Sequence, residues 1–501
     1  MRIIITSLFI FSLTCLNAQT SVTIKESDRL LLEEMQGQKV QKLLGNVWLI
    51  QDQTNIYCDS AYLFRATNEA QAFGHVRIIN LEENINIAGD SLLYSGNSQI
   101  AQLRGNVVLK DDSTTLYTDH LDYFRLTKQG RYSYGGQLID QYNNLTSERG
   151  IYNANSKKSV FIDKVHLINA DIIMDTDTLF YDAKLAEILA QGETVAVTPE
   201  SDTLRTFDGM LYNRITEYAE VYHGNISGTD YYIEADSLFA DNINEFYRAA
   251  YQIILKSYSD SLTIYGDQGN YNKVEKTARV YDNAYLKKIM QGDSLFIAAD
   301  TLYSNQSDTT QKYLTAYHKV EMFKSNLQGV ADSVSYHFSD STIYMFQDPV
   351  VWAEESQMTA DSINIEIKGD KIDRMHLIKN AFVISKDSLD NFNQVKGRDM
   401  EIFFRAGFLR KTIVNGNGES IYHLQEADGV LSLNKMRCSN MALYFEKNAV
   451  TEIRTYTQVD GSLIPETEIQ PIDKRLRGFK WLAIDRKPKI HSIAKHLRFD
   501  R

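Results

Sequence analysis

Ala88-Gly89-Asp90-Ser91-Leu92-Leu93-Tyr94 decides the reading of this chain, together with Gly105-Asn106-Val107-Val108-Leu109, which follows that tyrosine by 11 residues. The first stretch runs Asp, a small polar residue, an apolar residue, any residue, an aromatic. The same frame returns at Asp59-Ser60-Ala61-Tyr62-Leu63, Asp119-His120-Leu121-Asp122-Tyr123, Asp177-Thr178-Leu179-Phe180-Tyr181 and Asp208-Gly209-Met210-Leu211-Tyr212. Further copies start at Asp236, Asp267, Asp300, Asp332 and Asp361, and Glu148 fills the gap after Asp119. From Asp59 to Asp361 the steps lie between 28 and 33 residues; looser steps of 38 and 41 lead to Asp399 and Asn440. A period near 30 held over so many copies marks a solenoid or array, in which each unit buries its apolar face only against its neighbours.

Inside each unit the apolar pattern has period two, the strand period. Leu92 and Tyr94 share a face, and so do Val107 and Leu109 in the following strand. A third phrase, Ala101-Gln102-Leu103-Arg104-Gly105, recurs as Ala70 to Gly74, Ala186 to Ala190 and Ala219 to Tyr222. Connectors such as Ser95-Gly96-Asn97-Ser98 and Asp111-Asp112-Ser113 carry turn chemistry, which predicts three or four short strands per unit. Only Pro199 and Pro349 precede residue 465, as uninterrupted ladders require. No stretch of the body shows an amphipathic helix of three turns. The expected fold is all-β: an elongated β-solenoid or β-taco (jelly roll) of about 12–13 repeats. A right-handed parallel β-helix and a folded-over antiparallel stack both satisfy the pattern.

The ends have a different character. Met1-Arg2 and the apolar run to Leu13, closed by Leu16-Asn17-Ala18, read as a secretory signal over residues 1–18. Cys15 offers lipid attachment as the alternative. Residues 19–42 are expected to cap the first core layer, with Ser21 to Gln41 as a short helix or an irregular segment. The repeats then fill 43–462. Residues 463–501 form a basic tail, partly ordered at most, with three of the five prolines. It serves as a solvated cover or as a contact for an acidic partner or anionic headgroup. The remaining cysteines, Cys58 and Cys438, sit in the first and last repeats, too far apart in a stack to be bridged. No later run approaches the length of a membrane-spanning helix, so the mature chain is expected to be exported and periplasmic, with outer-membrane association possible.

The net charge of −12 argues against nucleic acid as a partner. It is an average: Lys474 to Arg501 carries ten Lys or Arg against two Asp. The aspartate column lacks the Gly-Gly-x-Gly-x-Asp spacing of calcium-binding solenoids. Being periodic and interchangeable, it does not make the single carboxylate pair that a glycosidase needs. It is expected at turns or strand edges, capping N–H groups. The ten histidines have no metal-ligand spacing, no Gly-x-Ser-x-Gly elbow occurs, and Gly135-Gly136 and Gly416-Asn417-Gly418 are turns. Catalytic residues, metals and cofactors are therefore expected to be absent.

What remains is the apolar inside of the stack. If the walls do not close, Val47, Leu49, Val76, Ile78, Leu92, Tyr94, Val107, Leu109, Leu179, Tyr181, Val195, Val197, Val334 and Tyr336 line a trough. Burying an acyl methylene there is worth roughly 0.8 kcal/mol, enough to hold lipid tails. The competing expectation is that these are ordinary core residues.

Gly-Asn-Val-x-Leu (Gly45 to Leu49, Gly105 to Leu109), answered by Asp-Ser-Leu-x-Tyr, resembles the OstA-like (organic-solvent-tolerance) domain of periplasmic lipopolysaccharide-transport proteins. The match is best over 43–173 and looser to about Tyr456, and it resembles an elongated, soluble variant of Bacteroidota type. The resemblance implies a β-taco whose trough carries the acyl chains of lipopolysaccharide or a related glycolipid. It also implies inner-membrane transport components and an outer-membrane assembly barrel as partners, end-to-end self-association through edge strands, and no catalysis. Two expectations of other classes stand beside it: a structural or adhesive solenoid without lipid, and a β-helix carbohydrate-active enzyme.

Overall fold

The computed structural model describes residues 21–482 except 36, 81–83, 291–292, 309, 370, 388, 406–407, 426–430 and 447–448. The expected signal segment, Cys15 and the distal basic tail lie outside the described residues. The chain divides into two units, one reaching to Ser201 and one from Asp202 onward.

In the first unit the strands Thr54–Phe64, Glu69–Asn80, Ile85–Ser95, Ile100–Lys110 and Thr115–Phe124 each pair antiparallel with the next. Ala61, Ala72, Leu92, Leu103 and Leu121 stand side by side across these ladders. The antiparallel stack is thus the correct one of the two candidates. One period holds two long strands, not three or four short ones. Each long strand is interrupted at its middle, and the half-strands are what the sequence pattern counts.

The interruption is a pair of consecutive left-handed residues: Gly45-Asn46 (φ 75° and 42°), Gly74-His75 (77° and 43°) and Gly105-Asn106 (77° and 47°). In the ladder, Gly105 and Asn106 together oppose the single residue Asp119, so each interruption is a bulge that bends the strand. An aspartate from earlier in the chain seals it. Asn106 Nδ2 donates to Asp90 Oδ2 at 2.8 Å, His75 Nδ1 lies 2.8 Å from Asp59 Oδ2, and Asn46 Nδ2 donates to Asp28 Oδ2 at 3.2 Å. In the first unit Asp59, Asp90, Asp119 and Asp177 therefore sit in mid-strand, not at turns or edges as expected, whereas Asp208, Asp300 and Asp361 of the second lie in breaks between strands. They mainly accept from side chains of the following bend. At Gly105 glycine is favoured by its positive φ and required by the close approach of the carboxylate, since a Cβ there would lie 2.4 Å from Asp90 Oδ2. Gly105→Val is expected to lower stability by about 1–3 kcal/mol, read as a fall in the urea midpoint; an unchanged midpoint would refute this account of the bend.

An 11-residue strand is roughly 35 Å long when straight. Yet Tyr181, near one tip, donates to Asp140 Oδ2 of a turn at the opposite tip, at 2.6 Å. The bent strands therefore double back, and the sheet becomes two leaves with their inward residues face to face.

The second unit repeats this plan with bends at Tyr251-Gln252, Asp282-Asn283, His318-Lys319, Lys379-Asn380 and Gly416-Asn417. From Ile264 to Leu443 its inward residues form one contiguous core. Pro199 lies in a turn and Pro349 just outside a strand, where no ladder bond is lost.

One terminal expectation is corrected. Ser21 to Gln41 is neither helix nor irregular: Thr23–Glu26 and Arg29–Met35 are strands paired with Gln38–Gln51. Hairpin pairing overrides the helical propensity of Leu30 to Met35. The tail, expected to be partly ordered at most, is held against the sheet as far as Leu482. Asp460–Pro465 joins the sheet, and Gln394 then donates to Lys474 O and accepts from Leu476 N, both at 2.8 Å. Gln357 brackets Lys480 O and Leu482 N in the same way. Leu476, Phe479 and Trp481 pack on Phe382, Ile384, Ile421 and Leu433.

Candidate functional site

Of the proposed lining residues, Val47, Leu49, Val76, Ile78, Leu92, Tyr94, Val107, Leu109, Leu179 and Tyr181 point inward in the first unit and are buried. Leu49 and Leu109 are fully so, at 0% exposure. In the second unit Val334 is buried and Tyr336 is half-buried against the core. Val195 and Val197 are misplaced in the sequence reading: they lie on the outer face, and Thr194 and Ala196 point inward. Hydrophobicity suggested the valines, but the bend begins at Gly192, so the inward positions fall two and four residues later, as Val107 and Leu109 follow Gly105.

Between the leaves of the first unit there is also a polar lacing. Tyr181 donates to Asp140, and Asn143 Nδ2 donates to the Tyr181 hydroxyl at 3.0 Å. Tyr152 donates to Asp111, whose Oδ2 also accepts from Lys157 Nζ at 2.6 Å. Arg125 Nη2 reaches Asp52 Oδ2 at 2.8 Å. Burial pushes the Asp111 carboxyl up, but Lys157, Tyr152 and the Ser113 N–H outweigh it and hold the group below the usual carboxylate range. Burial and Asp111 push the Tyr152 phenol up, so it stays a donor. The mouth of this unit is shut.

The second unit differs over its strands Tyr218–Ser227, Tyr231–Asp241, Phe246–Ser257 and Leu262–Asn272. Their register carries Ala219, Ile226, Ile233, Ala240, Tyr247, Ala249, Leu255, Leu262, Gly269 and Tyr271 at inward positions. None of these is buried, and Tyr271 is 38% exposed. The cause lies in the repeat frame. Where the first unit has Tyr94, Leu103 and Leu121, the corresponding positions here hold Ala240, Ala249 and Gly269. Three large side chains have become two methyl groups and a hydrogen, so the leaves do not meet beyond the residues next to the bend. Next to the bend the inner face stays packed, with Val221, Ala235, Leu238, Ile253 and Ile264 buried, but toward the strand tips it is apolar and half-exposed across four strands. Beyond these strands Val280, Ala284 and Leu286 are buried.

Sequence reasoning missed this face by searching for large apolar residues. The usable signal was the smallest residue at each inward position of the frame. Cys58 and Cys438 are buried free thiols, Cys58 pushed up to about 12 by burial. Among the described residues no group of His, Cys, Asp and Glu is arranged to hold a metal.

Comparison with known proteins adds to this geometry. A family model described as OstA-like protein matches residues 19–177, and one described as LptA/(LptD N-terminal domain) LPS transport protein matches residues 258–371. Most of the open face, Tyr218 to Ser257, falls between them. Among solved structures the chain is similar to LptH of Pseudomonas aeruginosa, described as the LptA-homologous periplasmic component of the lipopolysaccharide transport device. The identity is 12%, the match covers 23% of this chain and 79% of that one, and the TM-score is 0.20. No curated protein matches the chain.

Proposed function

We propose that this chain, which belongs to the OstA-like lipopolysaccharide-transport family, carries lipopolysaccharide or a related glycolipid through the periplasm toward the outer membrane, with the acyl chains against its open inner face. The observation that carries the reading is the half-exposed apolar surface of Tyr218–Asn272, since contiguous exposed apolar surface marks a binding surface. The same strands pair laterally without a gap, so the face is a groove floor. Tails lie in it by burial alone, headgroups stay wet at the rim, and no bond is made or broken. Inner-membrane components supply the energy, and an outer-membrane barrel receives the lipid. Arg29–Met35, which exposes Leu30, Leu31, Leu32 and Met35 and pairs among the described residues only with Gln38 to Leu44, is the edge through which copies or partners add strands.

The packed interior of the first unit favours a second reading, a structural stack without a ligand. One experiment separates the two. A photo-crosslinking amino acid at Ala249 or Ala240 in cells is expected to give lipid adducts, and one at Leu109 to give few or none. Absence of adducts from the open face would leave the structural reading standing.

A further inference from the structure

Among the inward positions from Ala219 to Met290, Lys288 is the one cation. Its strand Tyr285–Met290 pairs with Leu262–Asn272, and Lys288 stands directly opposite Leu262, the last half-exposed residue of the open face on that rim. Its side chain is half-buried. Nζ donates to Asp260 O at 3.0 Å and lies 5.7 Å from the centre of the Tyr336 ring, which comes from the opposite leaf. Among the described residues no carboxylate lies within ion-pair distance of it. The neighbouring Lys287 points outward over Phe296, so the inward turn of Lys288 is set by strand parity and not by a general basic surface.

An ammonium group held partly out of water without a counter-ion is costly, and of its three donors one has a protein acceptor, Asp260 O. Its stem covers apolar surface while the head stays at the rim. That is the geometry for receiving an anion whose apolar part lies alongside. From it we infer that Lys288 binds the anionic group, a phosphate or carboxylate, of an amphiphile whose tails occupy the open face. The assignment rests on the carrier reading above and adds to it the charge and the place of the headgroup. Tyr336 closes the site beyond Lys288, so the headgroup lies at the Leu262 end of the groove and the tails run toward Tyr218. A charge-assisted contact of this kind raises affinity roughly tenfold or more.

The test uses two probes with the same twelve-carbon tail, monododecyl phosphate and dodecyl maltoside, titrated by calorimetry into the full-length protein. The wild type is expected to bind both, the phosphate at least about tenfold tighter. Lys288→Met, an apolar side chain of similar length, is expected to lose that preference and keep its affinity for the maltoside. Lys288→Arg is expected to retain the preference, and thermal unfolding of both variants checks that the fold is intact. A Met variant that still prefers the phosphate, or a wild type that binds both probes equally, overturns the role of Lys288 and leaves the carrier reading untouched. A wild type that binds neither probe overturns both.

Discussion

Val107→Glu is expected to unfold the first unit, while Ala249→Glu leaves the second unit folded and empties its groove. Val107 is 1% exposed and points into the apolar interior between the leaves. An uncompensated buried charge costs roughly 3–5 kcal/mol, and no disulfide among the described residues holds the unit. Ala249 also points inward, but it is half-exposed in the gap left by Ala240 and Gly269. A carboxylate there keeps its water and costs the fold little, about 0.5 kcal/mol or less. It does place a charge on the floor of an apolar groove, and lipid recovered with the purified protein should fall several-fold. Hydrogen exchange resolved by peptide reads both units at once: Val107→Glu should strip protection from the strands around Ile100–Lys110, and Ala249→Glu should strip none. Equal loss of protection in the two variants would mean that the second unit is as tightly packed as the first.

Asp111→Ala is expected to cost about 2–3 kcal/mol, less than a fully buried pair, because Lys157 reaches solvent. The substitution removes the acceptor of Tyr152 and of Lys157 together and undoes the turn that Asp111 caps through the Ser113 and Thr114 N–H groups, both at 3.0 Å. The pH dependence follows from the same contacts. The folded carboxyl titrates below its unfolded value, so its contribution is complete above the ordinary carboxylate range and disappears as pH falls through the lower, folded value. Wild type should therefore lose stability toward acid faster than Asp111→Ala, the two curves converging at low pH. Parallel curves would show that the carboxylate does not hold the mouth. A shut mouth also yields a functional expectation: the variant's first unit should become accessible to the photo-crosslinker at Leu109.

Much of the fold was legible because it is periodic. The spacing of the Asp frame and the parity of Leu92, Tyr94, Val107 and Leu109 follow from strand geometry alone. What a strand does at Gly105-Asn106 does not, since a left-handed pair is recognisable only beside the carboxylate it packs against. The Val195 and Val197 error has that origin: without the bend as an anchor, hydrophobicity chose the face, and a single-residue slip inverts every assignment downstream. The open face was hidden for another reason. Ala240, Ala249 and Gly269 are unremarkable singly and matter because three strands bring them to one spot. The fixed tail was illegible because its partners, Gln357 and Gln394, are about 80–125 residues away, in strands where a polar side chain reads as surface.

The bend has one more implication. It is made by two adjacent residues and one acid on the neighbouring strand, so nothing in it depends on how many rungs precede or follow. A closed barrel must satisfy a condition linking strand number, tilt and stagger; a sheet creased locally has no such constraint. Length in this architecture is therefore an independent variable, adjustable by whole periods to match whatever distance must be covered. Each inserted period also brings its own choice of a shut or an open interior, made by the three side chains that face the gap.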